Sequence, residues 1–180
     1  MEIKLDGKTA VVTGASRGIG KAIAAEMAAS GANVVLSSRK QDALEAAIAE
    51  IVDERGAADP SIADRLLAHA ANAGDPEAAE ACITAAKAHF GSVDILVNNA
   101  ATNPYMGPTL GISLSQFDKT IEVNWRGPLV WTQEAWKQSM EQHGGAVLNI
   151  ASVGGLKAGE TIGIYNGTKA ALLHLSLIHI

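Results

Sequence analysis

The sequence predicts a doubly wound α/β fold, a three-layer α/β/α arrangement with a parallel sheet between two layers of helices. Short apolar runs rich in β-branched residues alternate with longer, Ala-rich helical patterns along the 180 residues. The apolar runs lack polar alternation, as expected for strands that are covered on both faces. A glycine-rich turn joins the first apolar run to the first helical pattern, which is typical of this class.

Five apolar segments predict the strands of this sheet. They cover residues 9–13, 33–37, 65–70, 93–97 and 146–150. The segment at 65–70 has the least regular pattern because it is rich in Ala.

Helical patterns fill the intervals between the predicted strands. They cover residues 18–30, 41–55, 76–90 and 113–142, and a further one begins at Tyr165. Gly31 ends the first helix, and Asp75 and Pro76 suit the N-cap and first position of the third. Gly127-Pro128 predicts an interruption in the long fourth helix. Residues 1–174 contain no repeat or linker and are predicted to form one domain.

Composition and charge exclude several classes of protein. The net charge of −5 argues against a broad nucleic-acid interface. Cys82 is the only cysteine, which excludes an internal disulfide, and the five histidines show no metal-ligand spacing. The N-terminus does not resemble a signal peptide, and no apolar stretch is long enough to cross a bilayer. A cytoplasmic protein without a bound metal is therefore predicted.

Residues 175–180 are interpreted as a non-native tail. Their sequence, Leu-Ser-Leu-Ile-His-Ile, stops the helical pattern without a cap or turn. It also matches the translation of a sequencing-library transposon end in one reading frame, and such segments are left out of fold reasoning. The alternative is an ordinary apolar tail.

The glycine-rich turn has the spacing Gly14-x-x-x-Gly18-x-Gly20 between the first strand and the first helix. Glycine permits positive φ and a close approach of the backbone to a ligand. The N-terminus of the following helix offers unpaired N–H groups and a positive dipole to a pyrophosphate. The turn therefore predicts a dinucleotide site, the alternative being a glycine turn that binds nothing.

Tyr165 and Lys169 are four residues apart in a helical pattern, so they share one face of the helix. A phenol normally titrates near about 10, and a neighbouring positive charge favours its ionised form. This pair is therefore a candidate general acid/base for an alcohol or carbonyl oxygen. Ser152 follows the last predicted strand, at the sheet edge where α/β proteins bind ligands.

Taken together, these motifs resemble those of the short-chain dehydrogenase/reductase family, whose fold is the Rossmann type. The resemblance covers residues 5–174 and rests on the glycine turn, Asn98-Asn99-Ala100, Asn124, Ser152 and Tyr165-x-x-x-Lys169. It implies a sheet that lacks the C-terminal strands of the complete family fold. Ala101 stands where the family usually has Gly, which is a mild departure. The chain looks most like the single-domain members that reduce ketones or oxidise secondary alcohols with NAD(P).

The resemblance implies a role for each catalytic candidate. Ser152 is expected to hydrogen-bond the substrate oxygen, and Tyr165 to exchange a proton with it. Lys169 is expected to hold the nicotinamide ribose and to favour the tyrosinate. Asn124 matches the helix asparagine that supports a water-linked proton path to Lys169. Cofactor contacts are expected from Gly14, Ser16, Arg17, Gly18, Ile19, Gly20, Ser38, Arg39, Asn72, Asn98, Ala100, Tyr165 and Lys169.

The end of the second strand predicts a preference for NADP(H) over NAD(H). An acidic residue there binds the ribose 2′-hydroxyl of NAD, whereas this chain has Ser38 and Arg39. Arg39 can grip a 2′-phosphate with its planar guanidinium, and Arg17 adds a second cation; the alternative is that both are solvated surface residues.

Three further residues each have two possible roles. Asn72 is interpreted either as an adenine contact or as an ordinary loop residue. Asn98 is interpreted as structural more than cofactor-contacting. Asp94 is expected to cap backbone groups near the adenine, or to be merely structural.

The loops 101–108 and 153–156 are mostly apolar and are expected to border a pocket for a small carbonyl or alcohol substrate.

The resemblance also implies a homo-oligomer, commonly a tetramer, with Trp125, Trp131 and Trp136 in subunit contacts or in the core. Two alternatives to an active enzyme remain. One is a truncated, catalytically incompetent fragment of poor stability, and the other is a non-enzymatic NADP-binding protein on the same fold.

Overall fold

The computed structural model describes residues 4–177, and the last three residues of the segment interpreted as a non-native tail lie outside this range. The sheet consists of β1 (Thr9–Thr13), β2 (Asn33–Ser38), β3 (Leu66–Ala70), β4 (Ile95–Asn98) and β5 (Ala146–Asn149). All neighbouring strands are parallel, in the order β3-β2-β1-β4-β5. The predicted doubly wound sheet is therefore confirmed, and the strand order reverses between β1 and β4.

Seven α-helices accompany the sheet within residues 4–177. They are α1 (Gly18–Ala29), α2 (Gln41–Arg55), α3 (Pro76–Phe90), α4 (Leu114–Ile121), α5 (Gly127–Ala135), α6 (Glu141–His143) and α7 (Gly163–Leu177). As predicted, the Asp75 carboxylate caps α3, accepting from the N–H of Glu77 at 3.0 Å, and Pro76 is its first residue. No helix in the described part of the chain is both long and apolar enough to span a membrane.

Alternate residues of β1 pack into two separate hydrophobic cores. Ala10 and Val12 of β1 pack with α1 and α2 on one face of the sheet. Val11, between them, packs with α3 and α5 on the other face. Successive side chains of a strand point to opposite faces, so one unbroken apolar run fills both cores.

Several element boundaries differ from the sequence prediction, most by a single residue, and three of the differences are larger. β4 begins at Ile95 rather than at residue 93, because Val93 donates its N–H to the Ser139 hydroxyl instead of joining the ladder. The helix around Pro128 is not interrupted, since the π-helical turn Glu122–Arg126 joins α4 directly to α5. A π turn adds a residue just where the proline ring would meet the preceding carbonyl. α7 begins at Gly163 and continues to Leu177, past the predicted end of the helical pattern.

Asp94 lies at the amino edge of the sheet, so its expected position near the adenine side is wrong. Its carboxylate accepts the N–H of Thr9, the first residue of β1, at 2.9 Å. Burial opposes its ionisation, but hydrogen bonds from Thr9, Ser92 and Lys8 outweigh this and hold the pKa of Asp94 below its usual value. Asp94 thus caps backbone groups, as expected, but at the opposite edge from the glycine turn.

β5 forms one edge of the sheet. Val147 and Leu148 are 37% and 42% exposed, and within residues 4–177 no strand pairs with β5 on its outer side. An uncovered apolar edge of this kind favours association with other chains.

The carboxyl ends of β1 and β4 are joined through one hydroxyl group. The Thr13 hydroxyl donates to the Val97 carbonyl at 3.2 Å and accepts the N–H groups of Asn99 and Ala100, both at 3.0 Å. The Thr13 side chain thereby gives a partner to three backbone groups at the end of β4, one of which, the N–H of Asn99, also donates to the Val97 carbonyl at 3.1 Å.

We expect Thr13→Val to destabilise the protein by about 2 kcal/mol, because the partly buried N–H of Ala100 would lose its acceptor and the N–H of Asn99 would keep only the Val97 carbonyl. Thr9→Val is the matched control on the same strand. Its hydroxyl is buried without a partner among the described residues, so its removal should change stability by less than about 1 kcal/mol in either direction. Urea unfolding of both variants measures the difference, and equal losses would contradict the assignment.

Candidate active site

The glycine turn runs against the carboxyl end of β4 at very short range. Gly14 has φ +67°, and a Cβ atom there would lie 2.9 Å from the Cα atom of Ala100. The Asn99 amide donates to the carbonyls of Thr13 and Gly14 at 2.8 and 3.2 Å. A Cβ atom on Gly20 would collide with the same Gly14 carbonyl. Glycines therefore allow three backbone segments to meet where β1 ends.

The first turn of α1 offers unpaired N–H groups beside this turn. Arg17 is its N-cap residue, with an extended backbone and no side-chain hydrogen bond to the helix, and the first turn contains no acidic residue. Such a helix N-terminus attracts an anion through its N–H groups and its positive dipole end.

A cavity of about 660 Å³ lies over this carboxyl edge, between the ends of the central strands. Its volume is in the range of ligand pockets. Most of the predicted cofactor residues line it: Gly14, Ser16, Arg17, Gly18, Ser38, Arg39, Asn72 and Ala100.

The lining of this cavity is rich in positive charge. Arg17, Arg39, Lys40 and Lys119 contribute cations, and none of the described lining residues is Asp or Glu. A concave site with charges of one sign concentrates ligands of the opposite sign. The cavity and the free N–H groups of α1 therefore fit the phosphates of a dinucleotide.

Sequence analysis missed part of this lining. Asn99, Lys40, Lys119 and Val123 also face the cavity. Lys40 directly follows Arg39, so the sequence pattern that indicated Arg39 could also have indicated Lys40. Lys119 and Val123 belong to the segment that begins with α4 and carry no motif of their own, so only the packing of that helix reveals them.

Five residues predicted to contact the cofactor do not line this cavity: Ile19, Gly20, Asn98, Tyr165 and Lys169. Ile19 is 65% exposed at the start of α1 and does not line the cavity. The Asn98 side chain is buried and donates to Asn149 at 2.9 Å and to Thr132 at 3.3 Å. Asn98 thus joins β4 to β5 and α5, in line with the structural role that the sequence favoured.

Asn72 follows β3 and does line the cavity. Its side-chain oxygen accepts the N–H of Gly74 at 3.3 Å, which shapes the turn into α3. An amide oxygen has two lone pairs, so the Asn72 oxygen can accept a second hydrogen bond, such as the one predicted from the adenine.

Lys169 is buried on α7, next to Tyr165. Only 2% of the residue is exposed, and its Nζ atom lies 5.8 Å from the centre of the Tyr165 ring. The ammonium donates one hydrogen bond, to the Ile150 carbonyl at 2.7 Å, which leaves two of its N–H groups for other partners. Burial lowers the pKa of Lys169, so a negative or polar ligand beside it would be favoured.

Ser152 comes directly before a short turn that packs against α7, the helix that carries this lysine. It caps the short 3₁₀ turn Val153–Gly155, and its hydroxyl oxygen accepts the N–H of Gly154 at 3.1 Å. Gly155 packs on α7 so closely that a Cβ atom there would lie 2.9 Å from the Lys169 carbonyl carbon. The Ser152 hydroxyl proton remains available to a ligand oxygen.

Asn124 connects α7 to the loop that follows β4. It lies in the π-helical turn Glu122–Arg126, a feature frequent at functional sites. Its amide exchanges two hydrogen bonds with the backbone of Thr102, at 2.7 and 2.8 Å, and donates to the Thr168 hydroxyl at 3.2 Å. That hydroxyl in turn donates to the Tyr165 carbonyl at 2.7 Å. Asn124 therefore helps to fix α7 relative to the sheet.

The cavity lined by cations and the Ser152–Tyr165–Lys169 group are adjacent but distinct parts of the site. Tyr165 and Lys169 do not line the cavity themselves. No three His, Cys, Asp or Glu side chains within residues 4–177 lie close enough together to hold a metal ion.

The short chain dehydrogenase family model matches residues 8–178. The chain belongs to this family. It is 36% identical to human dehydrogenase/reductase SDR family member 4 over 172 residues, which is 96% of this chain and 59% of that protein. It is 38% identical to human dehydrogenase/reductase SDR family member 2, mitochondrial, over 96% of this chain and 58% of that protein.

A solved member of the same family has the same fold. Levodione reductase superposes with a TM-score of 0.87 at 30% identity, covering 96% of this chain and 64% of that structure. The chain thus spans a little over half the length of the curated relatives named above.

We expect Gly20→Ala to destabilise the protein by about 2 kcal/mol or more, because the new methyl group would meet the Gly14 carbonyl and the Asn99 amide. Gly167→Ala is the matched control in α7. Gly167 is exposed and has nothing within 4 Å of an added Cβ atom, so alanine should stabilise the helix by about 0.5–1 kcal/mol. Urea unfolding gives both values, and a gain at Gly20 would show that the turn is not held as described.

Proposed function

We propose that this chain carries the catalytic core of an NADP(H)-dependent oxidoreductase that interconverts a carbonyl compound and a secondary alcohol, with Tyr165 as general acid/base. The observation that carries the proposal is the buried Lys169 ammonium beside Tyr165, on a helix that Asn124 connects to Thr102 in the lining of the cation-rich cavity. Membership of the short chain dehydrogenase family supports a nicotinamide cofactor and chemistry at a CH–OH group.

A bound nicotinamide dinucleotide would supply or accept the hydride, and the protein manages the proton. In reduction, Tyr165 gives its phenolic proton to the oxygen that was the carbonyl oxygen. Lys169 stabilises the resulting negative phenolate, and its two free N–H groups suit ribose hydroxyls. Ser152 donates a hydrogen bond to the same oxygen, and oxidation reverses each proton movement.

Asn124 is proposed to support the proton path to Lys169 through water. Its own side chain is occupied by Thr102 and Thr168, which fixes the loop after β4 against α7. This bonding supports a positioning role, in which Asn124 holds the Tyr165 helix at a constant distance from the cofactor cavity.

The preference for NADP(H) is proposed from the residues that follow β2. Ser38, Arg39 and Lys40 line the cavity where the adenosine ribose is expected. A guanidinium can bind a phosphate through two hydrogen bonds, and the nearby ammonium adds attraction. A carboxylate that would repel a 2′-phosphate is missing from the described lining.

A neutral, largely apolar substrate is proposed from the rim of the site. Met106, Val153 and Leu156 are 75%, 76% and 82% exposed on the two loops expected to border the substrate pocket. The backbone of Gly107 donates to the Thr161 carbonyl at 2.8 Å, so the 101–113 loop lies against the segment that leads into α7. An apolar rim beside the Tyr165 helix suits a ketone better than a phosphorylated sugar.

A homo-oligomer is proposed from the outer surface of the long helical segment. Trp131 packs in the core, whereas Trp125, Leu129 and Trp136 are 45%, 38% and 53% exposed. Three large apolar side chains on one helical segment are unusual on a solvated face and favour contact with another subunit.

We expect Tyr165→Phe to lower kcat for NADPH-dependent reduction of a panel of ketones by about a hundredfold or more, because the proton donor is lost. The Kd for NADPH, followed by its fluorescence, should change far less, because the hydroxyl is one of many contacts. Binding with no turnover by the wild-type chain would favour the non-enzymatic alternative, and equal kcat values would contradict the assigned role of Tyr165.

We expect Arg39→Asp to reverse the preference from NADPH to NADH, with a change of about tenfold or more in the ratio of the two Kd values. A carboxylate at this position would repel the 2′-phosphate and accept a bond from the 2′-hydroxyl. Arg55→Asp is the control, since Arg55 pairs with Glu26 away from the cavity and should leave the ratio unchanged. An unaltered ratio in Arg39→Asp would contradict the NADP(H) assignment.

A further inference from the structure

Lys119 approaches the cavity from the side opposite to the other three cations. Arg17 begins α1, and Arg39 and Lys40 lead into α2, so these three come from the layer that packs on the α1–α2 face. Lys119 lies on α4, which continues through the π turn into α5 on the α3–α5 face. It is the only cation of that layer among the described residues that line the cavity.

A neighbouring carboxylate holds the Lys119 ammonium at the rim of the cavity. Its Nζ atom lies 2.7 Å from the Glu122 side-chain oxygen, one turn further along the helix. The Glu122 side chain lies against Gly74, where an added Cβ atom would collide with the Glu122 carboxylate. Arg126, on the same helical segment, donates to the Gly74 carbonyl at 2.9 Å. Glu122 itself does not line the cavity, and Lys119 is 40% exposed. The pair is thus anchored, with the cation on the cavity side.

We propose that Lys119 is a phosphate-binding residue that closes the dinucleotide site from the α3–α5 face. This inference rests on the proposed function, since it requires a dinucleotide in the cavity. A dinucleotide lying along the carboxyl edge carries its phosphates between the two layers, and cations on one side alone would leave the other side of those phosphates without a partner. The flexible lysine stem lets the ammonium turn from Glu122 towards a phosphate oxygen, and a charge-assisted bond of this kind is stronger than a neutral one.

The chain offers a matched control for this residue. Lys137 lies in the second π turn of the same helical segment and also pairs with a glutamate three residues away, Glu134, at 3.8 Å. Its side chain is 69% exposed and does not line the cavity. Lys119→Met and Lys137→Met therefore remove the same charge and the same type of surface ion pair, but only the first alters the cavity.

We expect Lys119→Met to raise the Kd for NADPH about fivefold, Lys119→Arg to leave it within about twofold, and Lys137→Met to leave it unchanged, as measured by NADPH fluorescence titration. The loss in Lys119→Met should shrink as the NaCl concentration rises, because salt screens the interaction. Thermal unfolding of all three variants shows that a loss of binding is not a loss of fold.

NADH serves as the second probe and identifies the phosphate. If Lys119→Met loses affinity equally for NADPH and NADH, Lys119 is assigned to the bridging phosphates. If it loses affinity for NADPH alone, Lys119 is assigned to the 2′-phosphate. An unchanged Kd for both in Lys119→Met, or the same loss in Lys137→Met, would overturn this inference while the proposed function stands. Failure of the folded wild-type chain to bind either dinucleotide would overturn both.

Discussion

The whole site depends on the close meeting of β1, β4 and the glycine turn at one point of the sheet. The Thr13 hydroxyl pairs three backbone groups of the β4 end, and the Asn99 amide returns two hydrogen bonds to the β1 end. The strand order reverses here, so the connections leave on opposite faces and open a crevice. These hydrogen bonds hold the ends of β1 and β4 together, and the first turn of α1 therefore has a fixed position relative to them.

The second half of the site is attached to this point through side chains of the long helical segment. Asn124 binds the loop after β4 on one side and Thr168 on the other, and Lys169 binds the Ile150 carbonyl at the end of β5. Two separate parts of the chain thus fix α7, through its consecutive residues Thr168 and Lys169. The π turn that carries Asn124 gives its side chain this position within an otherwise continuous helix.

Local patterns predicted the elements of the fold well, and failed where neighbours intervene. The strand at Leu66–Ala70 formed despite its Ala content, because β2 supplies a register for every one of its residues. Val93 looked like the start of a strand, but its N–H is taken by Ser139 from a distant helical turn. Pro128 looked like a helix break, yet a π turn accommodates it. At both strands a contact distant in sequence outweighed a local preference, whereas the turn that accommodates Pro128 directly precedes it in the chain.

The sequence by itself determined which groups are the candidates for the chemistry. The glycine spacing after a strand, and the four-residue spacing of Tyr165 and Lys169, follow from local backbone geometry alone. Only the tertiary structure decided which neighbouring residue faces the cavity. Asn98 and Asn99 are adjacent and chemically identical, but Asn98 is buried against β5 and α5, whereas Asn99 faces the cavity. The position of Lys119 likewise depends on how one helical layer packs against the sheet, and no short-range pattern in the sequence records that packing.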